Sequence, residues 1–263
     1  MKPKVIFFGN GPLADSALRA LEPSCDIIFH AHIKEDLEKV KELKRENPDA
    51  FGILASFGVL IKSDILDLFE PVGILNIHPS LLPKYRGSSP IESAILAGDT
   101  SFSVSIMKLA PTMDAGPIYY SETITPDDPT RPDLKSYLYD TLATLGASWL
   151  NDNLTNLPTP VAQDDKKATF TKKLDKSMSL LDPSQGSAKE ILHKILAFQG
   201  FPKPKYPLKG KNCIILAAHI AEQGETALLP LECADGEILS IDRLQPENSR
   251  PMDARSFLNG LHS

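Results

Sequence analysis

The first 80 residues alternate short apolar runs with longer stretches in which apolar residues recur every three or four positions. Continuous apolar runs of this length are typical of buried strands, and they fall at residues 5–9, 26–33, 49–57 and 73–78. The helical periodicity between them predicts helices at residues 12–21, 35–46 and 62–69. Strands that alternate with helices predict a Rossmann-like α/β fold, in which a mostly parallel sheet carries helices on both faces.

The pattern then changes from alternating strands and helices to a strand pair and a long helix. The apolar periodicity predicts a short helix at residues 91–96, paired strands at 102–109 and 118–124, and a long helix at 131–150. A polar, proline-rich stretch follows and is typical of a linker. These elements complete one domain, which we expect to span residues 1–160, with the linker at 161–178.

The remaining residues, 179–263, predict a small β-rich domain. One amphipathic helix at residues 188–198 precedes three short strand-like runs at 212–219, 227–233 and 236–244. Short strands joined by glycine-containing turns favour a small OB-like β-barrel or an antiparallel sheet. The chain is therefore expected to join an α/β domain to a smaller β domain.

The net charge of −6 hides an uneven distribution along the chain. Residues 166–211 contain eleven lysines and three acidic residues, a balance of +8, so the rest of the chain carries −14. A basic segment on an acidic protein indicates a polyanionic partner such as a nucleic acid. A lysine-rich, solvated linker would give the same pattern, and the charge count alone does not separate the two interpretations.

Composition excludes several other classes of protein. No apolar run is long enough for a membrane span, and the run after Lys4 is too short for the core of a signal peptide. The three cysteines are widely spaced and odd in number, which predicts neither a disulfide framework nor a metal site. We expect a cytoplasmic protein that binds neither a membrane nor a metal ion.

The candidate catalytic residues are concentrated at the end of the fourth predicted strand. Asn76 and His78 are alternate residues of that strand, so both side chains project from the same face. A buried amide and a buried imidazole need polar partners, which makes a purely structural role costly. Asp114 follows 36 residues after His78, in a turn between two further predicted strands. Singly each residue is typical of a loop or turn, but together they indicate acid–base chemistry on a carbonyl group.

The motifs around these residues resemble those of the folate-dependent formyltransferases. The resemblance lies in residues 76–87 with Pro90 and Ile91, and in the stretch from Asp99 through residues 104–107 to residues 113–116. It implies transfer of a formyl group from 10-formyltetrahydrofolate to an amine. By the same resemblance, Asn76 would donate to the oxyanion of the tetrahedral intermediate, and His78 and Asp114 would handle the proton of the amine. Which of those two is the base stays open.

The resemblance also implies a binding site for the folate. The loop after the fourth strand would wrap the folate co-substrate, and residues after the third strand would form the other wall of its pocket. The residues implied are Ser80, Leu81, Leu82, Pro83, Phe57 and Leu60.

The second half of the chain resembles the tRNA-acting branch of the family. The similar stretches are residues 163–174, 191–202 and 252–260. They imply that the acceptor is the amino group of methionyl-initiator tRNA, formylated for translation initiation. Separately, we expect the enzyme to be a monomer. The chain departs from the family after the second strand, where the family carries a long basic loop. That departure favours the alternative of a sugar-nucleotide N-formyltransferase, which would use the same three residues.

Two further interpretations come from other classes of protein. Gly9-Asn10-Gly11 follows a strand and opens a helix, as in a dinucleotide-binding oxidoreductase. However, Pro12 enters the turn, and Ile33 and Lys34 stand where the acidic ribose ligand is expected. A non-catalytic RNA-binding module would explain the lysines but would have no use for Asn76, His78 and Asp114.

Overall fold

The computed structural model describes residues 1–261 of the chain. It divides into two compact units. The first comprises residues 1–91, 101–125 and 136–172, and the second comprises residues 92–100, 126–135 and 173 onward.

The first unit contains a six-stranded sheet. Its strands are β1 (Lys4–Gly9), β2 (Asp26–Ala31), β3 (Phe51–Ala55), β4 (Ile74–His78), β5 (Phe102–Lys108) and β6 (Ile118–Ile124). They lie in the order β2-β1-β3-β4-β5-β6, in which the first four are parallel and the last two antiparallel to their neighbours. The prediction of a Rossmann-like, mostly parallel sheet is confirmed. Because the order leaves β1, β3 and β4 side by side, the loops at their carboxyl ends meet at one edge.

The helices form where apolar residues recur at helical spacing. They are α1 (Pro12–Leu21), α2 (Asp36–Glu46), α3 (Ser63–Leu66), α4 (Pro90–Ala97), α5 (Leu134–Asn153), α6 (Ala188–Ala197) and α7 (Ala254–Asn259). In α1, Leu13, Ala17 and Leu21 are buried, as expected of residues four apart on one face. Pro12 suits the first helical position, where its missing N–H leaves no hydrogen bond unmade.

The tight approach of β1 to β3 explains the glycine that ends β1. A Cβ on Gly9 would lie 2.1 Å from the carbonyl oxygen of Ala55, so no other residue fits without a backbone shift. The next amide, of Asn10, donates to the carbonyl of Ser56 at 3.2 Å. Gly11 then adopts a φ of 80°, which glycine tolerates. The turn is thus held by backbone packing between strands.

The start of the predicted linker lies within the first unit. Val161 and Ile118 exchange two backbone hydrogen bonds of 2.8 Å each. Further along, the Arg86 amide donates to the Thr169 carbonyl at 2.9 Å, and the Thr171 amide donates to the Arg86 carbonyl at 2.8 Å. Residues 161–171 therefore run along the edge of β6 and the loop that follows β4, although their polar composition is typical of a linker.

The second unit contains an antiparallel sheet, as the pattern of short strands predicts. Its strands are β7 (Lys205–Leu208), β8 (Lys211–Ile220), β9 (Pro230–Glu232), β10 (Ile238–Pro246) and β11 (Met252–Asp253). They lie in the order β11-β10-β8-β7, with β9 also paired to β10. The strand β7 was not predicted because it contains Pro207. That proline is tolerated because β7 is an edge strand, where a missing donor leaves no ladder partner unsatisfied.

Helix α6 begins with a capping box that offers a test of stability in this unit. The Ser187 hydroxyl accepts from the Glu190 amide at 3.3 Å, and the Ser187 amide donates to the Glu190 carboxylate at 2.7 Å. We expect Ser187→Ala to lower the free energy of unfolding by about 1 kcal/mol, because an N-terminal amide loses its acceptor. Urea unfolding, with the exposed Ser24→Ala as control, would measure it. Equal midpoints for the two variants would contradict this expectation.

Candidate active site

Strand β4 places two polar side chains at the carboxyl end of the sheet. Asn76 and His78 are 5% and 4% exposed, respectively, although the strand around them is apolar. Asn76 lies between Leu54 of β3 and Met107 of β5, and His78 lies opposite Ser105 of β5. Both side chains leave the same face of the strand, as the alternation of the sequence predicts. An amide and an imidazole are therefore fixed next to each other with little access to water.

The hydrogen bonds of His78 define which ring nitrogen carries a proton. Its Nε2 lies 3.1 Å from the carbonyl oxygen of Tyr85, which can only accept. Nε2 is therefore the donor, and Nδ1 is directed at Asp114. The distance from Nδ1 to the Asp114 carboxylate oxygen is 3.7 Å, longer than a hydrogen bond. Nδ1 of His78 and the Asp114 carboxylate therefore face each other without bonding directly.

The turn between β5 and β6 delivers Asp114 to the same place. Asp114 has a φ of 49°, in the left-handed region. Its carboxylate accepts from the Gly87 amide at 2.7 Å, which connects it to the loop after β4. A Cβ on Gly116 would lie 1.8 Å from the Lys108 carbonyl oxygen, so the turn can close onto β5 only with glycine there. The antiparallel hairpin thus brings the carboxylate back to the strand that carries His78.

A cavity of about 530 Å³ opens beside these three residues. Asn76, His78 and Asp114 all line it, together with mainly apolar residues from the ends of β3 and β5. Its other lining residues include Ser56, Phe57, Gly58, Val59, Leu60, Ile61, Leu109, Ala110, Pro111 and Met113. A largely apolar cleft of this size with a few converging polar groups suits a small organic ligand. The structure therefore brings the three predicted catalytic residues to the wall of one ligand-sized cavity.

The residues predicted to bind the folate fall into two groups. Phe57 and Leu60 line the cavity, as expected of its second wall. Ser80, Leu81, Leu82 and Pro83 are not among the residues that line it in the described part of the chain. The Ser80 hydroxyl donates to the Lys84 carbonyl at 2.7 Å, so it closes its own loop. A folate contact for residues 80–83 stays a prediction.

Several residues that build the site were not predicted from the sequence. Ser105 is fully buried and fastens the loop after β4, since its hydroxyl donates to the Ser80 carbonyl at 2.7 Å and accepts from the Leu82 amide at 3.2 Å. Leu109, Ala110 and Pro111 form one side of the cavity. The position of these three between β5 and Asp114 was the available signal. For Ser105 the signal was a polar residue directly between two apolar ones, Val104 and Ile106.

The Gly9-Asn10-Gly11 turn has its polar groups engaged within the fold. The Asn10 side chain donates to the His32 carbonyl at 3.0 Å, and a ring nitrogen of His30 lies 2.9 Å from the Gly9 carbonyl oxygen. Burial lowers the pKa of His30, which favours the neutral imidazole. The Asn10 amide also donates to the Ser56 carbonyl just after β3, so both polar donors of Asn10 are engaged within the fold.

Two features of the described residues concern metal binding and membrane insertion. Over residues 1–261, no three His, Cys, Asp or Glu side chains are grouped so that they could hold a metal ion. Within the same range, no helix combines the length and the apolar character needed to cross a bilayer.

Matches to known proteins show that the chain belongs to the formyl transferase family and is a formyl-transferring enzyme. Residues 13–152 match the formyl transferase family, and residues 173–262 match the C-terminal domain of formyl transferases. The chain is 32% identical over 265 residues to methionyl-tRNA formyltransferase of Roseiflexus castenholzii, in a match that covers 95% of this chain and 81% of that protein. The resemblance inferred from residues 76–91 and 104–116 is confirmed.

Solved structures share the fold at low sequence identity. Methionyl-tRNA formyltransferase from Clostridium thermocellum superposes with a TM-score of 0.66 at 15% identity, over 94% of this chain and 99% of that chain. HypX from Aquifex aeolicus, in complex with tetrahydrofolic acid, gives a TM-score of 0.71 at 16% identity over 97% of this chain. This chain spans 46% of the length of HypX. At these identities the likeness establishes the fold alone.

Proposed function

We propose that the protein transfers the formyl group of 10-formyltetrahydrofolate to the α-amine of methionyl-initiator tRNA. The observation that carries the chemistry is the convergence of Asn76, His78 and Asp114 on one apolar cavity. The acceptor is proposed from the similarity to tRNA-acting relatives, which extends through both units of the chain.

The geometry supports a division of labour among the three residues. The amine nitrogen attacks the formyl carbon, and the carbonyl oxygen becomes an oxyanion that accepts from the Asn76 side-chain amide. The amine must lose a proton, because an α-amine with a pKa of about 7.7 is largely protonated at neutral pH. Nδ1 of His78 and the carboxylate of Asp114 face each other across 3.7 Å and receive that proton as a pair. The bond from the formyl carbon to the folate nitrogen then breaks, and that nitrogen takes up a proton.

The exposed lysines support a large, anionic acceptor, whereas the short β2–α2 connection limits where the protein can contact it. Ten of the eleven lysines in residues 166–211 are exposed, so their charges are available to phosphate groups. The connection between β2 and α2 consists of His32–Glu35 only, so it cannot supply the long basic loop of the family. Interactions with the tRNA backbone must therefore come from other lysines, and those of the second unit are the natural candidates.

Exposed lysines beside the β7–β8 turn should contribute to the salt dependence of tRNA binding. For Lys209→Gln/Lys211→Gln we expect the slope of log affinity against log salt to fall by about 0.7–0.9 for each phosphate group that a lysine no longer neutralises. The control is Lys2→Gln/Lys39→Gln, which changes two exposed lysines of the first unit. KM for charged tRNA, measured across a salt series, would report the slope, and KM for the folate should not change. The same slope in both variants would contradict this assignment.

An acceptor competition tests the proposed function. The purified protein is offered 10-formyltetrahydrofolate with methionyl-initiator tRNA, or with an amino-sugar nucleotide, and formylated products are quantified. We expect kcat/KM to favour the charged tRNA by several orders of magnitude. Formylation of the sugar nucleotide alone would be consistent with the proposed formyl-transfer reaction but would contradict the proposed tRNA acceptor. The short β2–α2 connection favours that outcome.

A further inference from the structure

One side-chain amide outside the predicted catalytic set joins the two loops of the active site. Gln163 Oε1 accepts from Arg86 Nε at 3.1 Å and from Arg86 Nη2 at 2.8 Å. Gln163 Nε2 donates to the carbonyls of Asp114 and Gly116 at 2.8 and 2.7 Å. Guanidinium groups only donate and carbonyls only accept, so this orientation of the amide is the one that satisfies all four interactions.

The Arg86 side of this network leads to the Asp114 carboxylate. The Arg86 side chain is 3% exposed, so its guanidinium depends on protein acceptors. One of them, Asp165 at 2.7 Å, is itself highly exposed, which leaves Gln163 as the more sheltered acceptor. The next residue, Gly87, donates its amide to the Asp114 carboxylate. Gln163 thus holds Arg86, which directly precedes the Gly87 amide that donates to the Asp114 carboxylate.

The other side of the network acts on the backbone of Asp114. A left-handed φ of 49° is uncommon for a residue other than glycine, although aspartate adopts it more readily than most, and the surrounding hydrogen bonds help to hold it at Asp114. The two bonds from Gln163 Nε2 fix the carbonyls of Asp114 and Gly116, one on each side of Ala115. Without those donors the turn can relax toward an ordinary backbone conformation, and the carboxylate would leave its place opposite His78.

We propose that Gln163 is a positioning residue for Asp114, whose amide sets the spacing between the Asp114 carboxylate and His78. This inference rests on the proposed function, because it gives the carboxylate a part in proton transfer. Gln163 itself is not among the residues that line the cavity in the described part of the chain, so it acts through Asp114.

A substitution can remove the donor function of the Gln163 amide and keep its acceptor function. Gln163→Glu keeps an acceptor for Arg86 but replaces the two donations to the Asp114 turn with repulsion between oxygens. We expect kcat to fall by about a hundredfold, as for a small displacement of a catalytic group, while KM for the folate changes less than threefold. The control, Asn156→Asp, makes the same amide-to-carboxylate change at an exposed position of the first unit and should retain wild-type kcat.

A double-mutant cycle distinguishes positioning from general structural support. If Gln163 acts through the Asp114 carboxylate, Gln163→Glu should lower kcat by less than about twofold in an Asp114→Asn background, because coupled residues are not additive. A hundredfold loss in both backgrounds would overturn the proposal. Where Gln163→Glu does not fold, Gln163→Met, which has a similar shape and no hydrogen-bonding amide, is tested in the same cycle.

A readout that needs no activity separates this proposal from the proposed function. The Gly87 amide donates to the Asp114 carboxylate, so its hydrogen exchange reports the position of that carboxylate directly. Loss of two hydrogen bonds from the turn should speed Gly87 exchange by about thirtyfold in Gln163→Glu, with no change in Asn156→Asp. Unchanged Gly87 exchange would refute the positioning role, whatever the acceptor of the enzyme. Faster exchange in a protein that formylates no acceptor would refute the function and leave the positioning intact.

Discussion

Asn76→Ala is expected to lower kcat by about 10²- to 10³-fold, with the fold retained. The loss follows from the position of Asn76 on the cavity wall beside His78, where its amide is the donor proposed for the developing oxyanion. The oxyanion exists only after attack, so the effect should fall on kcat more than on KM for the folate. Alanine removes buried side-chain atoms between Leu54 and Met107, so the free energy of unfolding should fall by about 0.5–3 kcal/mol, which a folded protein can tolerate.

Steady-state kinetics with both substrates varied would measure this effect, and circular dichroism would establish that the variant folds. Asn156→Ala is the matched control, since Asn156 is exposed and belongs to the same unit. A variant at Asn76 with wild-type kcat would remove the oxyanion donor from the mechanism. An unfolded variant would mean that the amide supports the sheet.

Asp114→Asn is expected to have the second large effect, a loss of about 10²- to 10⁴-fold in kcat. The asparagine side-chain oxygen can still accept from the Gly87 amide, so the turn keeps its anchor while the negative charge opposite His78 is removed. The loss should therefore reflect proton transfer from the amine. Single-turnover rates at saturating substrates would measure it, with the exposed Asp152→Asn as control.

A second outcome of the Asp114 experiment is informative about the base. If His78 alone accepted the proton, Asp114→Asn would lose only the orienting effect of the carboxylate, and kcat would fall by less than about tenfold. A small loss of that kind would contradict the paired role given to His78 and Asp114. It would also weaken the case for Gln163 as a positioning residue.

The parts of the fold that the sequence predicts well are those fixed by local pattern. The helix at residues 12–21 and the strand at residues 118–124 have the predicted bounds. A proline at the first helical position marks the helix, and a run rich in aromatic and β-branched residues, with a proline near each end, marks the strand. Strand β7 was missed because Pro207 is normally evidence against a strand, and only its edge position makes it acceptable. The position of a strand within a sheet is not a local property.

The residues of the site likewise differ in whether a local sequence pattern predicts them. Asn76 and His78 are two residues apart on one strand, so the sequence alone places their side chains on one face. Asp114 joins them through the β5–β6 hairpin, whose closure depends on the close approach of Gly116 to Lys108. Gln163 is 77 residues from Arg86 and lies in a polar segment typical of a linker. Such long-range hydrogen bonds leave no periodic pattern in the sequence, which is why the residue was not predicted.

Formyl transfer through Asn76 can be followed in a single turnover with 10-formyltetrahydrofolate labelled in its formyl carbon. Enzyme in excess of methionyl-initiator tRNA is mixed with the labelled folate, and the methionine released from the tRNA is analysed. We expect the label to appear as N-formylmethionine at a rate that Asn76→Ala lowers by about 10²- to 10³-fold. Label recovered only as free formate or unreacted folate, or transfer that is equally fast in Asn76→Ala, would contradict this expectation.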